Sequence, residues 1–317
     1  MIKNTRGSKI AIVGAGSVGT TFAYSLLIRG LFSQIVLIDA DAERAKGEAM
    51  DLNHGLPFAE PVNIWAGDYS DCENADIVAI SVGGARKSGQ SRLELAMNNF
   101  EIMKQVVAKI TEYNKKCILL IVTNPLDAMT YAALKLSDFP ITKVIGSGTV
   151  LDTARLRYSL GEYLKVDARN VHAYIIGEHG DSEVPVWSLA NVAGIRLKDY
   201  CPLCKLPYDT DAFDELFLKA KNAGYEIIKR KGRTNYGVGL SLTKIVESII
   251  RNENSILTVS CYLENYQGVS DVCLSVPAVV NRDGIREIIT LPLDEKEIEA
   301  FRKSADIIKE INNSLGL

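Results

Sequence analysis

Three histidines occur in the chain, His54, His172 and His179. Moving a proton to or from a reacting carbonyl needs a side chain that titrates near neutral pH, and histidine is the usual choice. His179 stands in Gly177-Glu178-His179-Gly180-Asp181, directly after an apolar stretch that reads as a strand. Its flanking glycines leave room for a ligand. His54, in Asp51-Leu52-Asn53-His54-Gly55, follows a helical stretch and reads as a helix cap or a packing residue. A second pattern lies near the start. Gly14-Ala15-Gly16-Ser17-Val18-Gly19 is a GxGxxG that follows an apolar run and opens a helix. In that setting Gly14 allows a tight turn, Gly16 lets the backbone approach a pyrophosphate, and Gly19 lets the helix pack against the sheet. Val18 belongs to the same expected cofactor cradle. The helix N-terminus offers free N–H groups and the positive end of its dipole to the phosphates. Asp39 closes the next apolar run, twenty positions after Gly19. A carboxylate there accepts hydrogen bonds from ribose hydroxyls and repels a 2′-phosphate, which favours NAD over NADP.

These residues need elements to hold them. Lys9 to Val13, Gln34 to Ile38, Val62 to Ala66, Ile77 to Val82, Cys117 to Val122 and Lys143 to Ile145 are six short apolar runs. Each reads as a strand buried on both faces. Helical stretches such as Ser17 to Arg29 and Ala42 to Leu52 separate them. The expectation is an α/β fold with a doubly wound parallel Rossmann sheet. The second half has another rhythm. Leu151 to Leu164, Phe213 to Lys231, Leu240 to Arg251 and Asp294 to Leu315 read as helices. Asn170 to Ile176, Ser255 to Tyr262 and Asp271 to Val280 read as strands, the last ended by an Asn-Arg-Asp-Gly turn. Helices mixed with antiparallel strands suggest an α+β domain. The expected organisation is a cofactor domain over 1–148 and a catalytic domain over 149–317, with no linker or repeat between them.

Composition excludes several classes. The 317 residues carry 36 basic and 39 acidic side chains, a formal net charge of -3, which gives no footprint for nucleic acid. No apolar run approaches the ~20 residues of a membrane span. The segment before the first strand lacks a signal-peptide layout, so the cytoplasm is the expected compartment. Six cysteines are scattered, and Cys201-Pro-Leu-Cys204 is a lone CxxC without the second pair or nearby histidines that zinc requires. Free thiols and no metal site are expected.

From end to end the chain resembles the lactate/malate dehydrogenases. The resemblance rests on the glycine motif at 14–19, Met50-Asp51-Leu52-Asn53-His54-Gly55, Thr123-Asn124-Pro125, Leu151-Asp152-Thr153-Ala154-Arg155, and Gly177-Glu178-His179-Gly180-Asp181. It implies that His179 is the proton donor in ketone reduction and the base in alcohol oxidation. Asp152 is implied to orient its ring and stabilise the imidazolium. Arg155, three residues on and therefore on the same helix face, is implied to clamp the substrate carboxylate, a bidentate task suited to guanidinium. Asn124 is implied to touch both the nicotinamide ribose and the substrate. Arg92 is implied to polarise the carbonyl from a mobile loop. The loop from Gly83 to Arg92 is glycine-rich and polar, and reads as a lid over bound substrate.

The family divides on the position six residues before Arg92, glutamine in lactate-type and arginine in malate-type members. Here it is Arg86. The body otherwise resembles a bacterial L-lactate dehydrogenase, with Met50 to Phe58, Asn170 to Trp187 and the pocket residue Thr234. The resemblance implies an L-2-hydroxyacid dehydrogenase with a lactate-type body and an arginine suited to oxaloacetate; a malate dehydrogenase proper is the alternative. Arg157 and His172 match positions that bind fructose 1,6-bisphosphate between subunits of allosteric members, and a homotetramer is implied with them. A non-catalytic NAD-binding redox sensor is the reading from another class. It would be expected to have lost one of His179, Asp152, Arg92 or Arg155, and all four are present.

Overall fold

The computed structural model describes residues 7–84 and 92–317, with Arg92 described in its backbone alone. Ile10, Ala11, Ile12 and Val13 are fully or almost fully buried, as a strand covered on both faces must be. They belong to β1 (Lys9–Val13). It is joined in a parallel sheet by β2 (Gln34–Ile38), β3 (Asn63–Ala66), β4 (Ile77–Ile80), β5 (Ile118–Ile121) and β6 (Val144–Gly146). The order across this part is β3-β2-β1-β4-β5-β6. The winding reverses between β1 and β4, which opens a crevice at the carboxyl ends of those strands. The connecting helices are α1 (Ser17–Arg29), α2 (Ala42–His54), α3 (Arg92–Tyr113) and α4 (Leu126–Ser137). His54 is the exposed last residue of α2 and Gly55 is the cap, so His54 neither caps nor packs.

The remaining elements begin with α5 (Val150–Leu164), β7 (Val171–His172), β8 (Ile175–Ile176) and β9 (Val184–Pro185). They continue with β10 (Asn191–Val192), β11 (Ile195–Arg196), α6 (Leu197–Leu203), α7 (Thr210–Lys231) and α8 (Tyr236–Ile250). Last come β12 (Ser255–Leu263), β13 (Val272–Asn281), β14 (Gly284–Ile288) and α9 (Glu295–Ser314). One expectation is corrected here. The stretch 170–176 is two strands with different partners, β7 beside β10 and β8 beside β9. It breaks because α5 claims the backbone of Ile175. Thr149 Oγ1 donates to the Ile175 carbonyl at 2.5 Å, and the Ile175 N–H donates to Thr153 Oγ1 at 3.0 Å. The strands β12, β13 and β14 are antiparallel, as a domain mixing helices with antiparallel strands requires. They extend the parallel sheet antiparallel from β6, giving nine strands among the described residues.

The two halves share an apolar core. Ile10, Phe22 and Leu37 from the first half are buried in one cluster with Leu242, Val276 and Phe301 from the second. Each such side chain contributes roughly 1.5–3 kcal/mol by leaving water. Polar ties reinforce the packing of α1 on α8. Buried Glu247 accepts from Arg29 Nη2 at 2.6 Å and pairs with Arg251 Nη1 at 2.8 Å. Asn235 Nδ2 donates to Thr21 Oγ1 at 2.8 Å. The glycine turn and the His179 loop are therefore held in one frame. Among the described residues no helix is long and apolar enough to cross a membrane.

Candidate active site

The chain leaves β1 at Val13 and turns immediately. Gly14 has φ +108°, and a Cβ there would lie 2.6 Å from the Ser81 carbonyl oxygen. At Gly19 a Cβ would lie 1.9 Å from the Gly14 carbonyl oxygen. No side chain fits either position. At Gly16 a Cβ would meet nothing within 4 Å, so the space over the start of α1 is open. Gly16 is also the N-cap of α1, and no side chain caps the first N–H groups. That combination, open room and uncapped donors, suits a pyrophosphate. Val18 is half-buried and packs against the core. Asp39 lies half-buried at the end of β2. Its Oδ2 accepts from the Ala15 N–H at 2.6 Å and its Oδ1 from the Asp41 N–H at 2.9 Å. Each oxygen keeps a lone pair for a ribose hydroxyl. The residues present therefore fit NAD. Asp39→Ser should narrow the preference for NADH over NADPH by at least about ten-fold in kcat/KM, since a nearby like charge costs over 1 kcal/mol. An unchanged preference would show that Asp39 does not select the cofactor.

The proton-carrying group is built by α5 and the loop after β8. His179 Nδ1 lies 2.5 Å from Asp152 Oδ2, and Arg155 Nη1 donates to Asp152 Oδ1 at 3.0 Å. Asp152 is buried to 2% exposure and Arg155 lies one helical turn on. Burial opposes ionisation of Asp152, but the charge and hydrogen bond of His179, then those of Arg155, hold its carboxyl below the usual range. Burial likewise opposes charging of His179, and the Asp152 carboxylate outweighs it, so the imidazole is pushed up to about 9. An ionised carboxylate can only accept, so Nδ1 keeps its hydrogen and Nε2 is the ring atom left to titrate.

The His179 loop is tethered on three sides. Gly177 and Ser275 exchange backbone hydrogen bonds at 2.8 and 3.0 Å. The Glu178 N–H donates to Ser304 Oγ at 2.8 Å. The His179 N–H donates to Asp127 Oδ2 at 2.7 Å, and Ser260 Oγ donates to Asp127 Oδ1 at 2.6 Å. Asp127, on α4, is fully buried, and burial pushes its carboxyl up to about 7. It joins α4, β12 and the catalytic loop through one side chain. The motif reading does not find it; an acid inside the apolar run Leu126 to Ala133 was the available signal.

Asn124 lies exposed just past β5, next to the end of β4, where Thr123 Oγ1 donates to the Val82 carbonyl at 2.7 Å. Buried Asn99 of α3, also absent from the motif reading, ties the two strand ends together. Its Nδ2 donates to the Asn124 carbonyl at 2.7 Å and its Oδ1 accepts from the Gly84 N–H at 3.3 Å. Thr234 sits half-buried between α7 and α8, beside the Asn235 that bonds Thr21 of α1. Arg92 opens α3; its side chain, Arg86 and the expected lid over 85–91 lie outside the described residues. Arg157 is turned away from His179. Its Nη2 donates to the Ala168 and Arg169 carbonyls, both at 3.3 Å, on the turn leading to exposed His172, and its buried Nε has no partner. Cys201 is a buried and Cys204 an exposed free thiol. No group of three or more His, Cys, Asp or Glu that could hold a metal occurs among the described residues.

The chain matches two family models, "lactate/malate dehydrogenase, NAD binding domain" over residues 8–146 and "lactate/malate dehydrogenase, alpha/beta C-terminal domain" over 149–315. It is 55% identical over 309 residues to an L-lactate dehydrogenase of Acetivibrio thermocellus, covering 98% of each chain. It resembles the crystal structure of a lactate dehydrogenase from a Medee basin deep-sea metagenome library, with TM-score 0.95 and 42% identity over 98% of this chain and all of that one. It also resembles the ligand-bound minor L-lactate dehydrogenase of Enterococcus mundtii, with TM-score 0.94 and 40% identity over 97% and 98% of the two chains.

Proposed function

This chain belongs to the lactate/malate dehydrogenase family and is an NAD-dependent oxidoreductase, and from that premise we propose that it interconverts a small 2-oxoacid and its L-2-hydroxyacid, with pyruvate and L-lactate as the main pair. The observation that carries the reading is the buried Asp152 set between His179 and Arg155. In this reading residues 1–148 hold NAD through Gly14, Gly16, Gly19, Asp39 and Asn124, and residues 149–317 hold the substrate. NAD supplies the hydride acceptor for alcohol oxidation and, reduced, the donor for ketone reduction. His179 gives its Nε2 proton to the carbonyl oxygen as negative charge develops there, and takes it back in the reverse direction. Asp152 keeps Nδ1 protonated, aims the ring and stabilises the imidazolium. Arg155, with one donor on Asp152, holds the substrate carboxylate with others of its fork. Arg92 polarises the carbonyl, and Thr234 lines the pocket around the substrate's side group. Arg86 adds recognition of a second carboxylate, so oxaloacetate is a further substrate. The experiment is NADH oxidation with a panel of 2-oxoacids; no turnover of pyruvate or oxaloacetate would overturn the reading.

A regulated oligomer in the cytoplasm belongs to the same proposal. Tyr24 and Ile28 of α1, Met50 of α2, and Tyr236 and Leu240 of α8 are exposed on neighbouring helices. An apolar strip of that kind supports covering by a second copy, and a tetramer built from such pairs. The unpartnered Nε of Arg157, close to the strand of His172, supports an anion site for fructose 1,6-bisphosphate between subunits. The bisphosphate is expected to lower the substrate concentration at half saturation and to raise the sedimenting mass, because it must bind the active state more tightly. Kinetics and mass that ignore it at every pH would leave both residues with structural roles.

A further inference from the structure

Glu183 follows the His179 loop and leads into β9, and it is buried to 7% exposure. Its Oε1 is buried and has no hydrogen-bond partner. The charged groups that act on it electrostatically are Asp152, then His179 of its own loop, Lys221 of α7 and Arg155 of α5. The Lys221 ammonium is held close by donating to the Asp181 carbonyl at 2.6 Å. A carboxylate in that place would be the second anion beside Arg155, and Asp152 already occupies Arg155 Nη1 at 3.0 Å. A bound substrate carboxylate would be the third. Burial and the Asp152 charge both oppose its ionisation, and its carboxyl is pushed up to about 8.

We propose that Glu183 serves as a neutral carboxylic acid that leaves the charge of Arg155 available to the substrate carboxylate, and that its ionisation weakens substrate binding. It is a positioning residue that acts through Arg155. The inference rests on the reading of Arg155 as the carboxylate clamp. One buried negative charge facing a guanidinium reduces its pull on another anion, whereas a neutral acid does not.

Oxidation of L-lactate separates this effect from the titration of His179. Binding the hydroxyacid needs a neutral imidazole, so rising pH favours binding through His179 and opposes it through Glu183. The KM for L-lactate at saturating NAD is measured from pH 6.5 to 10 in the unmodified enzyme, in Glu183→Gln and in Lys221→Met. The ratio of KM in the unmodified enzyme to KM in Glu183→Gln should rise on the alkaline side by about ten-fold, the effect of roughly one unit of coupling. Glu183→Gln should show only the fall in KM set by His179, while kcat keeps its own pH dependence. Lys221→Met removes the cation that favours ionised Glu183, so the rise should move to higher pH. Superimposed KM profiles, or a KM raised by one factor at every pH in Glu183→Gln, would overturn the proposal. So would an unshifted rise in Lys221→Met. An absence of lactate turnover at every pH would overturn the substrate reading and this proposal with it, and is told apart from these outcomes by the unmodified enzyme alone.

Discussion

His179→Asn is expected to bind NADH and to lose turnover by on the order of 100-fold to 10,000-fold, the usual worth of general acid catalysis. Asparagine is polar and close in size, so the loop keeps its shape. Its backbone N–H still reaches Asp127, and the cradle at Gly14 to Gly19 is untouched. What disappears is a proton at Nε2. The pH profile carries the sharper test. Asp152 raises His179 to about 9, so the imidazolium dominates below that point. Reduction of a 2-oxoacid uses the imidazolium and should fall as pH rises through about 9. Oxidation uses the neutral ring and should climb over the same range. Asp152→Asn removes the anion that stabilises the imidazolium, so the limb for reduction should move to lower pH. In His179→Asn both limbs attributed to the imidazole should vanish. Near-full turnover, or an unaltered profile in the residual activity, would remove His179 from the mechanism.

The elements that carry this chemistry were legible to different degrees, for physical reasons. Strands covered on both faces announce themselves as apolar runs, and Lys9–Val13 and Gln34–Ile38 form β1 and β2 as read. The turn at Gly14 was legible because a steric demand met by one residue type leaves that residue in the sequence. The split of 170–176 was not, because it depends on Thr149 and Thr153 capturing Ile175 some 22 to 26 positions away. Asp127 escaped for the same reason. Its two bonds span 52 and 133 positions, and the apolar run around it signals burial but not these partners. Glu183 stands two residues after the Gly177 to Asp181 motif, and local sequence suggests an exposed charge. Its burial is set by the tertiary fold and not by its neighbours in sequence. The candidate catalytic residues sit in short motifs, whereas those that hold the motifs in place are set by tertiary contacts.

Arg86→Gln is expected to move the ratio of kcat/KM for oxaloacetate over pyruvate by about 10-fold to 100-fold toward pyruvate. Oxaloacetate carries a second carboxylate, and in a site shielded from water an unpaired charge is costly. A guanidinium can meet it with charge-assisted hydrogen bonds worth roughly 1.5–3 kcal/mol each, which converts to that range. Pyruvate offers a methyl group at the same place and leaves the guanidinium without a partner, a mismatch that a polar site penalises. Glutamine carries no charge and should tolerate the methyl group better. Because Arg86 lies outside the described residues, the expectation rests on its place six residues before Arg92 and on charge pairing alone. The relatives named L-lactate dehydrogenase, together with the proposed pocket role of Thr234, support pyruvate as a substrate. The two influences predict a unique pattern: real oxaloacetate reduction in the unmodified enzyme, pyruvate reduction alongside it, and loss of the first with gain of the second in the variant. Thr234 should not produce that exchange, since a hydroxyl cannot neutralise a carboxylate. If Arg86→Gln left the ratio unchanged, Arg86 would not discriminate between the acids. Discrimination would then have to come from Thr234 and the walls of the pocket, and a Thr234 substitution would be the one that moves it.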